Sequence, residues 1–419
     1  MTPDPEEQNG TPDPEEQNGT PDPEEQSGLT ALARGLSAPK GFVDASLAAP
    51  AAGTIRLLGG IPAPAALPVE AIGQASAWLW QDADAAIASL QYAPARGSGA
   101  LCDWIAKREG VDPSRIVVTN GGMHGLALAV LTVVERGATV AVDDPVFPGF
   151  LWALEVSTTR ILPVPVVADG FDVEHLARRL TTGARIAAAY TVPDFHNPAQ
   201  VSLSAPKRRA LMELAERYGF YVIVDDPYRE LRFGGQDQGV EVFHASDRAI
   251  HVNTFTKTLG PGWRVGWLVL PDHLVDPVTR LRNRLDVHTS SVTQAIIERL
   301  LTDDAHLFDR IVRGATALYQ ERAGALIDAL REQLPGALDV VAPEGGLFLW
   351  PRLTDDGVDP AALFRRAAAH GVIYQPGEYF AADATDPRQR SSARHLRLSY
   401  SDRTPEELRE AVRRLALAF

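Results

Sequence analysis

Between residues 115 and 270 the chain repeats one device. A short run of β-branched or other apolar residues gives way to a turn signal or a helical pattern, and then another run begins. Arg115–Thr119, Thr139–Val142, Arg185–Tyr190, Phe220–Val224, Ile250–Asn253 and Trp267–Leu270 are such runs. They lack the apolar–polar alternation of a half-exposed strand, so both of their faces are buried, as in a parallel sheet covered by helices. The pattern predicts an α/β fold with a mostly parallel sheet. Helices are predicted over 101–109 and from Leu126 to Val134. Beyond about residue 300 long Ala/Leu/Arg helices take over, with strand-like pieces at Gly346–Trp350 and His395–Ser399. That change predicts a smaller α+β domain, joined to the first by one long helix from about Asn283 to Arg322. The 419 residues suit such a division. The segments read as 1–28, an acidic tail; 29–70, an N-terminal segment packing with the small domain; 71–300, the large domain; and 301–419, the small C-terminal domain.

The tail is a repeat: TPDPEEQNG fills 2–10 and 11–19, and TPDPEEQSG fills 20–28. With no large apolar side chain it cannot offset the entropy of ordering and is expected to be disordered. It carries nine acidic and no basic residues, so a net charge of −14 leaves the rest of the chain near −5. No basic patch marks a nucleic-acid partner. The single cysteine, Cys102, excludes an internal disulfide and reads as a small buried apolar residue. No apolar run approaches the ~18 residues that span a bilayer. A cytoplasmic protein without a membrane or nucleic-acid partner is expected.

The chemistry gathers in Thr254-Phe255-Thr256-Lys257-Thr258-Leu259-Gly260-Pro261-Gly262-Trp263-Arg264-Val265-Gly266. A lysine just past a buried strand is placed to lose its charge, and the neutral amine attacks carbonyls. Hydroxyls at Thr254 and Thr256 and a guanidinium at Arg264 suit an anionic phosphate. Asp225-Asp226-Pro227-Tyr228 follows the run YVIVD, and a carboxylate at the carboxyl end of a parallel strand lies where such sheets bind ligands. Gly121-Gly122-Met123 stands at a strand-to-helix turn, where free N–H groups also attract phosphate. His124 has no neighbour with metal-ligand spacing and reads as a helix-start residue; no metal site is expected.

The lysine segment resembles the cofactor-lysine signature of class I/II aminotransferases, S-x-S-K-x-x-x-P-G-x-R-x-G, with threonine for both serines. Further motifs occur in that family's order. Pro193-Asp194-Phe195-His196-Asn197-Pro198 resembles its P-x-x-x-N-P turn, Asp144-Pro145-Val146-Phe147-Pro148-Gly149 its D-P-x-Y/F-P-G, and His395-Leu396-Arg397-Leu398-Ser399 its late arginine strand. Gly59-Gly60-Ile61-Pro62 resembles its early G-G-x-P. The resemblance covers about 55 to 417 and, through DDPYRELRF and EGGLFLW, is nearest to α-aminoadipate and kynurenine aminotransferases and the related half of MocR regulators.

The resemblance implies the fold type I architecture with a seven-stranded large-domain sheet, and pyridoxal 5'-phosphate (PLP) bound to Lys257 as a Schiff base. It implies that Asp225 pairs with the ring nitrogen, that Tyr228 and Asn197 donate to the phenolic oxygen, and that Phe147 stacks on the ring. Thr254, Thr256, Arg264 and the Gly121-Gly122-Met123 turn would hold the phosphate. Tyr92, in Leu90-Gln91-Tyr92, would reach the phosphate of a neighbouring subunit in a homodimer. Arg397 would clamp the substrate α-carboxylate, with Gly60 and Asn197 on the substrate side. The implied reaction is transfer of an amino group from an L-amino acid to a 2-oxo acid by a ping-pong course. A lyase, decarboxylase, cyclase or oxygen-using relative stays open, as does a ligand-sensing module. Two positions depart from the family. Gly122 and Met123 replace polar residues in the phosphate turn, and Gln200 replaces the glycine of N-P-x-G, either projecting toward the pocket or lying on a tolerant loop.

Overall fold

The computed structural model describes residues 28–36, 52–157, 159–383 and 392–419. The repeat tail up to Ser27 and residues 37–51 of the expected N-terminal segment lie outside these. Residues 28–36 belong to a unit of their own, with a helix at Ala31–Gly35 whose Thr30 side chain accepts from the Ala33 N–H at 3.2 Å.

In the rest of the chain the strands are β1 (Ile55–Leu57), β2 (Ile116–Thr119), β3 (Thr139–Asp144), β4 (Arg160–Val167), β5 (Gly170–Phe171), β6 (Ala188–Thr191) and β7 (Tyr221–Asp225). They continue as β8 (Ala249–Thr254), β9 (Gly266–Val269), β10 (Leu338–Asp339), β11 (Phe348–Leu349), β12 (Arg352–Leu353), β13 (Val372–Pro376) and β14 (Leu396–Ser399). One sheet has the order β2-β9-β8-β7-β6-β3-β4-β5. Of its eight strands only β9 and the two-residue β5 run against the others, so the expected seven-stranded, mostly parallel sheet carries one short extra edge strand. A second sheet, β1-β13-β14-β11, draws β1 from far upstream to pair in parallel with β13. The strands β10 and β12 form a separate antiparallel pair.

The apolar runs are buried on both faces, as their composition requires. On one face Ile223, Ile250, Val252 and Leu268 pack with Leu126 and Val130 of the helix Gly122–Val133. On the other, Val222, Val224 and Ala249 meet Leu176, Leu211 and Met212 of the helices Val173–Thr181 and Ala205–Tyr218. Further along that second face, Val118, Trp267 and Val269 meet Leu101 and Ile105 of the helix Gly99–Glu109. Cys102 is buried there, and burial pushes its thiol up to about 11, as expected of an inert core cysteine. The helix Leu307–Gln333 packs on Pro405–Ala416 through Tyr319, Leu326, Leu408 and Val412. Among the described residues no helix is long and apolar enough to cross a membrane.

Two expectations fail. The long linking helix is three helices, Asp272–Leu285, Ser291–Thr302 and Leu307–Gln333. No Gly or Pro between Val278 and Arg313 announces the breaks. The first occurs because Asp286 leaves the helix to accept a hydrogen bond from Asn120, Val287 turns to φ 66°, and Ser290 caps the next helix by accepting from the Thr293 N–H. The second error is an omission: β4 reads RILPVPVV, and its two prolines argue against a strand. They are tolerated because β3 covers one side of β4 while β5 covers the other only at Val166 and Val167.

Candidate active site

Thr119, Asp144, Thr191, Asp225 and Thr254 end β2, β3, β6, β7 and β8, and a cavity of about 140 Å³ opens beyond these carboxyl ends. Gly60, Gly122, Met123, Phe147, Asn197, Asp225, Tyr228, Thr254, Thr256, Lys257 and Arg264, all singled out in the sequence, line it.

At one end Gly121 adopts φ 81°, which suits glycine, and the helix Gly122–Val133 begins. A Cβ on Gly121 would lie 2.7 Å from Arg264 Nη2, so the bare turn admits the guanidinium. Arg264 Nη2 donates to the Asn120 carbonyl at 3.1 Å. The hydroxyls of Thr254 and Thr256 lie 2.8 Å apart. Behind them β9 enters through Gly266, where a Cβ would meet the Asn253 carbonyl at 2.7 Å and the Gly122 nitrogen at 3.0 Å. Two hydroxyls, a guanidinium and the first N–H groups of a helix thus converge on one spot, a donor set for phosphate that needs no polar side chain at Gly122 or Met123. His124 faces the turn itself: its Nδ1 accepts from the Asn120 N–H at 3.1 Å.

On the floor, Lys257 Nζ donates to the Gly60 carbonyl at 2.6 Å and lies 5.7 Å from the centre of the Tyr228 ring. Burial, helped by the Arg397 charge, lowers its pKa to about 8, which frees a useful fraction of neutral amine. Asp225 is buried, and desolvation raises its carboxyl to about 7 although Tyr190 donates a hydrogen bond to it. The Lys257 charge works against that rise, but among the described residues no cation forms an ion pair with Asp225. Burial holds the Tyr228 phenol well above its ordinary range, so it is a neutral donor.

Behind the cavity wall, Arg397 of β14 is fully buried and does not itself line the cavity; its guanidinium carbon lies 4.2 Å from the centre of the Phe348 ring and 4.9 Å from that of Phe380. Nη1 donates to Asn197 Oδ1 at 2.9 Å and Nη2 to the Leu58 carbonyl at 2.6 Å. Desolvation brings its pKa down to about 9. Gln200 adopts φ 58°, the conformation that makes glycine common there. Its side chain turns away from the cavity, donating to the Val341 carbonyl and accepting from the Trp350 N–H, each at 2.8 Å. Tyr92 is not brought to this cavity: it is 87% exposed, with its ring against His288.

Sequence reasoning missed two supports. The Tyr190 hydroxyl donates to Asp225 Oδ2 at 2.8 Å from a ring stacked on Phe150. A tyrosine in the otherwise apolar run β6 was the available signal, because a buried phenol needs a partner. Asp143 Oδ2 accepts from the Val192 N–H at 3.0 Å and lies 3.1 Å from His196 Nε2, fixing the loop that carries Asn197. Removing the Tyr190 hydroxyl with Tyr190→Phe leaves that carboxylate oxygen unpaired, at a cost of about 1–3 kcal/mol. Cofactor affinity measured by titrating the apoprotein should fall by about tenfold or more; unchanged affinity would show that the bond does not matter.

An amine of lowered pKa, a buried carboxylate held by no ion pair among the described residues and a donor set suited to phosphate around one cavity fit PLP, and on this sheet they define a fold type I PLP enzyme. Residues 63–415 match the family described as aminotransferase class I and II, and the chain belongs to it. An aromatic-amino-acid aminotransferase of Thermococcus litoralis is 30% identical over 373 residues, 86% of this chain and 87% of that protein. The α-aminoadipate aminotransferase of Thermus thermophilus, solved with N-(5'-phosphopyridoxyl)-L-leucine, superposes with a TM-score of 0.83 at 28% identity, covering 94% of this chain and 97% of the other. A Pyrococcus horikoshii kynurenine aminotransferase, solved with PMP, gives 0.80 at 30% identity over 87% and 90%. The protein is a PLP-dependent aminotransferase.

Proposed function

We propose that this aminotransferase acts on a large L-amino acid, aromatic donors included, and returns the amino group to a 2-oxo acid in a ping-pong course. The observation that carries the residue roles is that Lys257 and Asp225 line one cavity, with Arg397 bonded to its wall residue Asn197 and packed on its wall residue Phe348. Bound PLP supplies an electron sink for the bond broken at the substrate Cα. Asp225 would keep the ring nitrogen protonated, Tyr228 and Asn197 would donate to the phenolic oxygen, and Phe147 would pack on the ring. Thr254, Thr256, Arg264 and the N–H groups from Gly122 onward hold the phosphate. Arg397 fixes the α-carboxylate with Asn197 and the Gly60 backbone beside it. Lys257 Nζ then takes the Cα proton and returns it at the neighbouring position as base and acid. The apolar rings of Phe147 and Phe348 and the names of the relatives support a large donor.

The homodimer belongs to the same proposal. Tyr92, Leu90, Leu285 and Val287 are exposed, and the Tyr92 ring lies against His288, which follows Val287 in the chain; such apolar surface suits a second copy whose phosphate site Tyr92 would complete. A division near residues 70 and 300 and a cytoplasmic setting complete the reading. The test is a screen of amino donors with 2-oxoglutarate. Glutamate should form, fastest with aromatic or other large donors; donors consumed without amino transfer would reject it in favour of a lyase-type outcome.

A further inference from the structure

Across the sheet from the cavity lies a buried polar cluster that the reaction does not use. Strand alternation sends Ile223 and Asp225 to the cavity face and Val222, Val224 and Asp226 to the other. On that far face Asp226 Oδ2 lies 3.1 Å from His251 Nε2, and His251 Nδ1 lies 3.0 Å from His244 Nε2. Arg229 donates to Glu109 Oε2 at 2.8 Å and sits 3.5 Å from Asp226. Glu109 Oε1 also accepts from the indole of Trp267 at 3.0 Å and from Asn253 at 3.3 Å. Asp226, His251 and Glu109 are almost fully buried.

The hydrogen-bond directions follow from the acceptors. A carboxylate takes a proton from His251 Nε2, which leaves Nδ1 bare, and only a donor at His244 Nε2 satisfies it. Burial keeps both imidazoles neutral, with His251 pushed down to about 4 and His244 to about 3. Burial also raises the Asp226 carboxyl, against which the Arg229 charge works. The Asp226 N–H, in turn, is bonded to the Val252 carbonyl at 2.9 Å. The residue next to Asp225 is therefore held by its backbone and by its side chain, the latter through the hydrogen bond to His251 and the charge of Arg229.

The same atoms also outline a triangle. His244 Nε2, His251 Nδ1 and Glu109 Oε2 lie within 4.8 Å of one another, a spacing that a transition metal can bridge. Arg229 argues against a cation there, because its guanidinium occupies the same Glu109 oxygen.

We propose that His251 is a positioning residue for the cofactor: by holding Asp226 on the far face of the sheet it fixes the end of β7, and so aims the Asp225 carboxylate at the ring nitrogen. This rests on the reading of Asp225 as the ring's partner. The test measures the dissociation constant of PLP from the apoprotein, the visible spectrum of the holoenzyme, and kcat and KM separately. His251→Leu should weaken cofactor binding about tenfold and lower kcat about tenfold with KM within about twofold, the loss of one hydrogen bond to a charged group. His251→Gln, whose amide can still donate to Asp226, should stay within about threefold of the parent. A folded His251→Leu protein with parental affinity, spectrum and kcat overturns the proposal. If that variant fails to fold, Asp226→Ala, which removes the acceptor, takes its place with the same expected direction, and parental values there overturn it. One equivalent of transition metal per chain in the purified protein, lost in His244→Ala, would also overturn it, because a metal replaces the bond between the histidines. Asp225→Asn is the control: if it leaves affinity and spectrum unchanged, the reading of Asp225 fails rather than the role of His251.

Discussion

Lys257→Ala is expected to lower kcat roughly 10⁴-fold, because it removes both the covalent hold on the cofactor and the group that moves the proton. The visible band of the holoenzyme should vanish with it. No neighbour can substitute: the other cation at the cavity wall, Arg264, belongs to the phosphate end, and Arg397 is a guanidinium that keeps its proton at neutral pH. The wild-type protein offers a second readout. Only the neutral amine captures the cofactor aldehyde, and burial brings the Lys257 pKa from 10.5 down to about 8. The rate at which the apoprotein captures PLP should therefore climb with pH, pass half its plateau near 8 and level off about a unit above. A rate still climbing steeply toward pH 10 would mean that the amine is not desolvated. A variant that retains both the band and turnover would remove Lys257 from the reaction.

Arg397→Ala should reduce kcat/KM for amino acids about 10²–10³-fold, mostly through KM, the usual loss when one partner of a buried charge pair is deleted. Arg397→Lys should recover little of it. A lysine cannot donate in parallel to two carboxylate oxygens while also reaching Asn197 and the Leu58 carbonyl, as the planar fork does. Because Arg397 is buried, its loss also disturbs packing, so a general decline in stability must be separated from a lost clamp. The matching amine, which lacks the α-carboxylate, makes that separation. The parent should prefer the amino acid strongly and the variant should not; a preference that survives would place the carboxylate elsewhere.

Much of this site was legible because its residues follow from local chemistry. Lys257, Thr254, Thr256 and Arg264 sit in one contiguous segment, and Asp225 ends a run that could only be a buried strand. The large sheet was legible for the same reason, since runs without polar alternation admit few other placements. What escaped was set by contacts between distant segments. The bond from Tyr190 to Asp225 depends on β6 lying next to β7 in register. The helix break at 286–290 depends on Asn120, far upstream, drawing Asp286 out of its helix. Gln200 could point to the pocket or lie on a tolerant loop, and only the positions of Val341 and Trp350 show that its side chain bonds their backbones. The expected tail and residues 37–51 of the N-terminal segment fall outside the described residues.

The pairing of β1 with β13 has a consequence for the newborn chain. Every strand of the large sheet lies between residues 116 and 269, so a ribosome can release and fold that sheet, cofactor floor included, while the final third is still being made. The other wall cannot form then. The carbonyls of Leu58 and Gly59 wait for Arg397 and Ser399, more than three hundred residues later, to bond them. A nascent chain can thus recruit PLP long before it can grip a substrate, and translation that stops short of β14 would leave a pigmented but inactive protein.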